Sequence, residues 1–165
     1  MNAITALYEQ LYRHYGPQHW WPCRSGRRWE IIAGALLTQN CAWRNVEQAL
    51  CNLEQAGVDT PEAMLATPPE TLEPLVRPAG FFRQKTRALR EAADFFRRYE
   101  AEFIVSEETW ILRRRLLAVC GVGEETADAI LLYAFGKPLF VIDAYTRRVA
   151  QRHLALDGTI PYARL

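Results

Sequence analysis

The chain's 165 residues are half hydrophobic and 12% aromatic, which suits one domain, or one and a half, with a buried core and excludes a disordered segment. Formal net charge is only +1, so bulk charge does not mark a polyanion binder. Every basic residue except Lys85 and Lys137 is an arginine, which either suits bidentate phosphate contacts or reflects a GC-rich genome. Cys23, Cys41, Cys51 and Cys120 are widely spaced without a C-x-x-C pair; this argues against a metal or iron–sulfur framework and predicts reduced, mostly buried thiols. No apolar run approaches the ~18 residues of a membrane span, and no signal-peptide pattern opens the chain. A soluble cytoplasmic protein without a membrane partner is expected.

Helical periodicity runs along nearly the whole chain. Trp29, Ile32, Ala33, Leu36 and Leu37 form one apolar stripe; Val46, Ala49, Leu50 and Leu53 form a second, stopped at Gly57. Thr60-Pro61 and Thr67-Pro68 each read as an N-cap before a first-turn proline, with Glu70 completing a T-x-x-E capping box in the second. Phe82, Leu89, Phe96 and Phe103 recur every seven residues and predict one amphipathic helix from Arg83 to about Glu102. Its basic residues, Arg83, Lys85, Arg87, Arg90, Arg97 and Arg98, spread over more than one face and read as solvated surface. Ser106 with Glu107 and Glu108 starts the next helix, Ala127, Ile130, Leu131 and Ala134 share a face of another, and a last one runs from about Ala144 to His153. The segment "PLFVID" is extended but alone, so the expected class is all-α with short connections.

Within "RRRLLAVCGVGEETADAI" a helix with Leu116 and Leu117 as its apolar pair meets a Gly-Val-Gly turn and then a second helix. Glycine permits positive φ and close backbone approach. The amides of Gly121, Val122, Gly123 and Thr126 then face an anion from a turn backed by a helix N-terminus, and a DNA phosphate suits that place. An αα-hairpin that merely needs a tight turn has the same pattern. Asp143 follows 20 residues after Gly123 at the start of a helix, with Arg147, Arg148 and Arg152 behind it. By position alone Asp143 is an N-cap. His14, His19 and His153 do not have a metal-ligand spacing.

The stretch "LLAVCGVGEETADAILLYAFGKPLFVIDAYTRRV" resembles the helix-hairpin-helix/Gly-Pro-Asp signature of the endonuclease III superfamily of DNA glycosylases. "IIAGALLTQNCAWRNVEQAL" is similar to that family's early helix and base-wedge segment, so the resemblance covers roughly residues 25–155. It implies that Asp143 is the catalytic carboxylate, stabilising an oxocarbenium-like sugar and orienting the attacking water. Arg147, Arg148 and Arg152, beside Asp143, are candidates for phosphate contacts, and the resemblance makes Gln39 and Asn40 the polar wedge that fills the gap left by a flipped base; a polar C-cap with Asn in αL is the alternative. Members that also nick the strand carry a lysine two residues after the second glycine, where this chain has Glu125. A carboxylate cannot form an imine, so water becomes the nucleophile. The plain reading of Glu124 and Glu125 is that acids complement the helix dipole.

The "WWPC" segment, with Trp20, Trp21 and Pro22, and Trp43 after the wedge are similar to one subgroup of the superfamily, the monofunctional 3-methyladenine glycosylases. There such aromatics sandwich the flipped base; core packing is the other use of a tryptophan pair. Indoles favour a cationic, N3-alkylated purine by cation–π and stacking contributions of about 0.5–2 kcal/mol each.

The implied fold is a helical barrel at about 25–135, including the hairpin at about 112–135, with a second lobe formed by 1–24 and 136–165. That lobe ends where the family's remaining helices begin, which leaves Leu7, Leu11 and Tyr15 without a partner and the family's C-terminal cluster cysteines absent. No cofactor is required by this reading, although a monovalent cation on the backbone carbonyls of Leu117, Val119 and Val122 fits the family. The expected partner is double-stranded DNA with a damaged base, bound by a monomer in a bacterial or archaeal nucleoid. Three functions stay open: a monofunctional glycosylase for alkylated bases, an endonuclease III-like enzyme for lesions such as oxidised pyrimidines, and an inactive hairpin module that only binds DNA.

Overall fold

The computed structural model describes residues 3–18, 20–22, 24–99, 104, 106–157 and 159–162. Among these the chain is helical, with no strand. The helices are α1 (Ala3–Tyr15), α2 (Arg28–Leu37), α3 (Trp43–Gln55), α4 (Pro61–Ala66), α5 (Pro69–Val76), α6 (Phe82–Arg98), α7 (Thr109–Leu117), α8 (Glu124–Phe135) and α9 (Ala144–Leu154), with a 3-10 turn at Arg77–Ala79. Two compact units result: Cys23–Leu139, and Met1–Pro22 joined with Phe140–Leu165.

In the larger unit α2 and α8 pack on each other at the centre. Both are buried well beyond a single stripe, as expected of helices covered on several sides: Trp29 and Ile32 to Leu37 in α2, Thr126 to Leu131 and Ala134 in α8. Around them α3 packs on α2 and α5, α4 and α5 pack on α6, and α7 packs on α8. The second apolar stripe holds in α3, with Val46, Ala49 and Leu53 buried, Leu50 half-buried and Gly57 in the left-handed region at φ 70°.

Several helix boundaries differ from the sequence reading. Thr60 caps α4 as expected, its hydroxyl accepting the Ala63 N–H at 3.2 Å with Pro61 in the first turn, a cap worth about 1 kcal/mol. Thr67 does not cap α5. It ends α4, its hydroxyl donating to the Ala63 carbonyl at 2.8 Å, and Pro68 is the N-cap. Pro69 holds Pro68 in the extended region (φ −61°, ψ 146°), so the helix begins one residue late and no capping box forms. Helix α6 stops at Arg98 because Tyr99 is extended (φ −118°, ψ 120°); Glu102 and Phe103 lie outside the described residues. Helix α7 begins at Thr109 rather than Ser106, with Glu108 extended before it.

Two further expectations are corrected. Leu116 is buried, but Leu117 is exposed and forms no apolar pair with it. The thiols are not mostly buried: Cys41 and Cys51 are half-buried and Cys120 is exposed, while Cys23 lies outside the described residues.

In the smaller unit α1 packs beside α9. Helix α1 buries no residue; Leu11 and Tyr15 are exposed and Leu7 is half-buried. Among the described residues no helix is long and apolar enough to cross a membrane.

Candidate active site and nucleic-acid interface

The hairpin is built by α7, the turn at 118–123 and α8. The Val119 N–H donates to the Leu116 carbonyl at 2.9 Å and the Val122 N–H to the Val119 carbonyl at 3.1 Å, closing the turn over a buried Val122 side chain. Gly121 has φ +83°, and a Cβ there would stand 2.6 Å from the Ala88 Cβ on α6. Glycine is therefore required twice at that position. Gly123 differs: its φ is −90°, and a Cβ would meet nothing within 4 Å. Positive φ and close protein packing thus explain only the first glycine of the pair. What a bare Gly123 offers is open space beside the N-terminus of α8.

At that N-terminus the first intrahelical bond runs from the Ala127 N–H to the Gly123 carbonyl at 2.9 Å. The N–H groups of Glu124, Glu125 and Thr126 precede it and have no acceptor within the helix. The Thr126 side chain is buried, its hydroxyl accepting from Gln39 Nε2 at 2.9 Å, so only its backbone amide can serve an anion. Gly121→Ala is expected to cost about 2–4 kcal/mol from αL strain and overpacking, and Gly123→Ala to change stability by less than about 0.5 kcal/mol. Thermal melts with duplex titrations check this. If Gly123 serves phosphate approach, its alanine variant alone separates weak binding from lost stability.

An ion pair locks the two hairpin helices. Arg113 Nε donates to Asp128 Oδ1 at 2.6 Å and its Nη2 to Oδ2 at 3.2 Å, with Glu124 Oε1 at 3.5 Å. Asp128 is 5% exposed and Arg113 16%. Hydrogen bonding to Asp128 raises the guanidinium pKa further, against the cost of burial. Arg113 thereby offsets one of the two first-turn acids. Glu125, the position of interest for strand nicking, is exposed. Asp128 stands out in the sequence as a lone charge within an otherwise apolar helix face, which is the signal that finds this pair.

The segment after α2 carries Gln39 and Asn40. Thr38 is the C-cap in αR geometry, and Asn40 sits two residues beyond in αL at φ 49°, exposed. Gln39 behaves differently from Asn40. Its Nε2 donates to the Gly121 carbonyl and the Thr126 hydroxyl, both at 2.9 Å, tying this turn to the hairpin across more than 80 residues of sequence. Of the two amides, Asn40 is the one presented outward.

Three residues here escaped the sequence reading. Phe81, in αL at φ 43° and 66% exposed, precedes α6 and shares with Asn40 and Gln84 the lining of a recess of about 200 Å³. A non-glycine residue held in αL costs on the order of 1–2 kcal/mol, and such strain concentrates at functional places. Lys85 is not solvated surface: it is 5% exposed, and its ammonium donates to the carbonyls of Leu37 (2.9 Å), Gln39 (2.9 Å) and Ala79 (2.7 Å). Burial pushes its pKa below the ordinary lysine value, partly countered by the Cys41 thiol. Arg90 also turns inward and is half-buried, its Nη1 donating to the carbonyls of Met64, Leu65 and Thr67 at the end of α4. Lys85 falls on the apolar stripe of α6, between Phe82 and Leu89, and that spacing is the signal that marks it.

In the smaller unit Asp143 is the N-cap of α9. Its Oδ1 accepts the Thr146 N–H at 2.7 Å, and the residue is half-buried. Thr146 in turn donates its hydroxyl to the Val141 carbonyl at 3.2 Å, steadying the extended approach to the cap. The cap reading is therefore fulfilled, and the cap leaves Oδ2 as the carboxylate oxygen not used in it. Arg147 turns inward, its Nη1 donating to the Ile160 carbonyl at 2.7 Å, so it anchors the segment after α9. Arg148 is exposed and stacks over the Tyr145 ring at 4.4 Å; of the two it is the one placed for a phosphate. Trp20 is 58% exposed and Trp21 half-buried, as a tilted pair with centroids 6.5 Å apart and planes at 66°. That is edge-to-face packing, and these two rings alone do not form parallel walls. Trp43, in the larger unit, opens α3 and is half-buried.

Comparison with known proteins gives a consistent family. Residues 33–164 match the model described as HhH-GPD superfamily base excision DNA repair protein. A Methanocaldococcus jannaschii protein whose name proposes a DNA repair glycosylase is 40% identical over 155 residues, covering 92% of this chain and 70% of its own. The crystal structure of the H. pylori 3-methyladenine DNA glycosylase MagIII bound to 1,N6-ethenoadenine is 28% identical, with TM-score 0.77, covering 95% of this chain and 75% of that one. A trapped endonuclease III–DNA covalent intermediate matches at TM-score 0.79 over 99% of this chain and 75% of that one; at 21% identity it shows the fold alone. The chain belongs to the HhH-GPD superfamily of base excision DNA repair proteins and is a DNA glycosylase of that family.

Proposed function

We propose that this glycosylase releases an alkylated, 3-methyladenine-type purine from duplex DNA by hydrolysis and leaves the strand intact. The observation that carries the reading is the state of its lysines. Glu125 occupies the exposed first-turn position where nicking members hold the amine, and the sequence has only two lysines to replace it. Lys85 is buried with its three donors on carbonyls, and the Lys137 Nζ donates to the Glu107 carbonyl at 2.7 Å. A Schiff base requires an amine at the reacting sugar; the Glu125 position carries none, Lys85 is buried, and Lys137 is half-buried with its ammonium on the Glu107 carbonyl. The likeness to MagIII supports the alkylated-purine substrate.

In the proposed mechanism the C1′–N bond breaks with its electron pair leaving on the cationic purine, which departs neutral. Asp143 holds its carboxylate against the positive sugar. Water then adds to C1′, giving up a proton to Asp143 or to solvent, and an abasic site remains. A cationic leaving group needs little acid catalysis, so one carboxylate suffices. Trp20 and Trp21 in the smaller unit and, separately, Trp43 in the larger are the indoles proposed for stacking on a flipped base, and Asn40, aided by Phe81, is the side chain proposed for the gap that such a base leaves. The amides at the start of α8, bare Gly123 and Arg148 take the phosphates. A monovalent cation would rest on the carbonyls of Leu117, Val119 and Val122: the Val119 oxygen already accepts one N–H and keeps a second lone pair. Bound there, it would add positive charge toward a phosphate without entering the chemistry.

The test incubates the protein with duplexes carrying 3-methyladenine or an oxidised pyrimidine, each run on a denaturing gel with and without alkali. Cleavage of the methylated duplex only after alkali is expected, with no borohydride-trapped adduct. Release from the pyrimidine duplex instead would favour the endonuclease III-like reading. Binding without release from either would make the chain a hairpin module.

A further inference from the structure

The three carbonyls that hold Lys85 belong to segments that the proposed function places against DNA. Leu37 ends α2, Gln39 lies in the turn that carries Asn40, and Ala79 ends the 3-10 turn just before Gly80 and Phe81. Among the described residues no carboxylate lies within ion-pair distance of this ammonium. Burying an unpaired cation is costly, and a methionine of similar length would fill the same space without that cost. Three rigid N–H bonds to two separate turns give something a methionine cannot: a fixed distance between those turns. One turn further along α6, Ala88 abuts Gly121 of the hairpin, and the Gln39 side chain reaches the Gly121 carbonyl. The first two turns of α6 thus hold three loops in one frame.

We infer that Lys85 is a positioning residue that clamps the Asn40 turn to the Phe81 turn, so that both side chains enter the DNA stack together when a base is flipped. The inference rests on the reading of Asn40 as the wedge. The alternative is that Lys85 only satisfies the orphan carbonyls at the end of α2, which would affect stability and nothing at the DNA.

The probe is a duplex carrying a tetrahydrofuran abasic-site analogue opposite 2-aminopurine, whose fluorescence reports unstacking and needs no knowledge of the lesion. The unaltered chain is expected to change that fluorescence on binding. Lys85→Met is expected to keep duplex affinity within about threefold, because phosphate contacts dominate it, while losing the fluorescence change. Its single-turnover release of 3-methyladenine should fall about 10²-fold, the scale of an ångström-sized misplacement. Lys85→Gln, with two donors, should fall between the two and keeps the comparison if the methionine variant does not fold. A folded variant that unstacks 2-aminopurine as the unaltered chain does would overturn the inference. So would failure of both variants to fold, which would assign Lys85 to the fold as a whole. Absence of the signal in the unaltered chain would instead sink the wedge reading.

Discussion

Replacing Asp143 with asparagine is expected to lower base release by about 10³-fold while leaving the fold and abasic-site binding in place. The magnitude follows from charge. A carboxylate about 4 Å from a developing cation contributes about 4 kcal/mol at an effective dielectric of 20, and each 1.36 kcal/mol is about tenfold in rate. The substitution is informative because asparagine separates the helix cap that Asp143 forms from the catalytic role proposed for it. Its Oδ1 caps α9 by accepting the Thr146 N–H, and asparagine caps about as well as aspartate. The negative charge is all that is lost. Asp143→Ala should remove the cap too, at about 1 kcal/mol. Thermal melts beside single-turnover release decide the matter. An asparagine variant that keeps its activity would make Asp143 a cap and nothing more.

The second large effect is expected at the hairpin. Arg113→Ala leaves the Asp128 carboxylate, 5% exposed, without its bidentate partner. Breaking a buried pair from one side costs about 3–5 kcal/mol, which for a chain of this size lowers the melting temperature by about 10 °C. Glu124 loses its compensating charge in the same variant, so duplex affinity should fall most at low salt and depend less steeply on salt, because added salt screens the new repulsion between Glu124 and phosphate. The pair itself is not indispensable. Arg113→Met combined with Asp128→Leu should recover most of the stability, since apolar replacement of a buried ion pair is often neutral or better. Unchanged melting in Arg113→Ala would show that the hairpin is held by packing alone.

The two variants act on features of different legibility. Asp143 was visible because a cap, an extended approach and a following helix are all local in sequence, and the family signature sits on them. The Arg113–Asp128 pair was not, although a single aspartate within Thr126–Leu131 marked where to look. The same division runs through the rest. Apolar spacing fixed α2, α3 and α8, because periodicity and burial express the same geometry. Boundaries failed where the backbone of one residue decided them, as at Pro68 before Pro69 and at extended Tyr99.

By itself the amino-acid sequence determined the helical class, the Gly-Val-Gly hairpin, the acidic first turn of α8 at Glu124 and Glu125, and the aspartate at the head of α9. Each depends on residues within about one helical turn of one another, where spacing and conformational preference suffice. Tertiary structure alone decided that Gln39 is spent on the hairpin and Asn40 is presented, that Lys85 is buried on three carbonyls, that Gly121 must be bare against Ala88, and that Phe81 is held outward in αL. The Gln39 and Gly121 contacts, and those of Lys85 with Leu37 and Gln39, join residues tens of positions apart, and their outcome is set by which surfaces remain to be covered once the helices have packed. A side chain's partner is then a property of the assembled core, not of its neighbours in the chain.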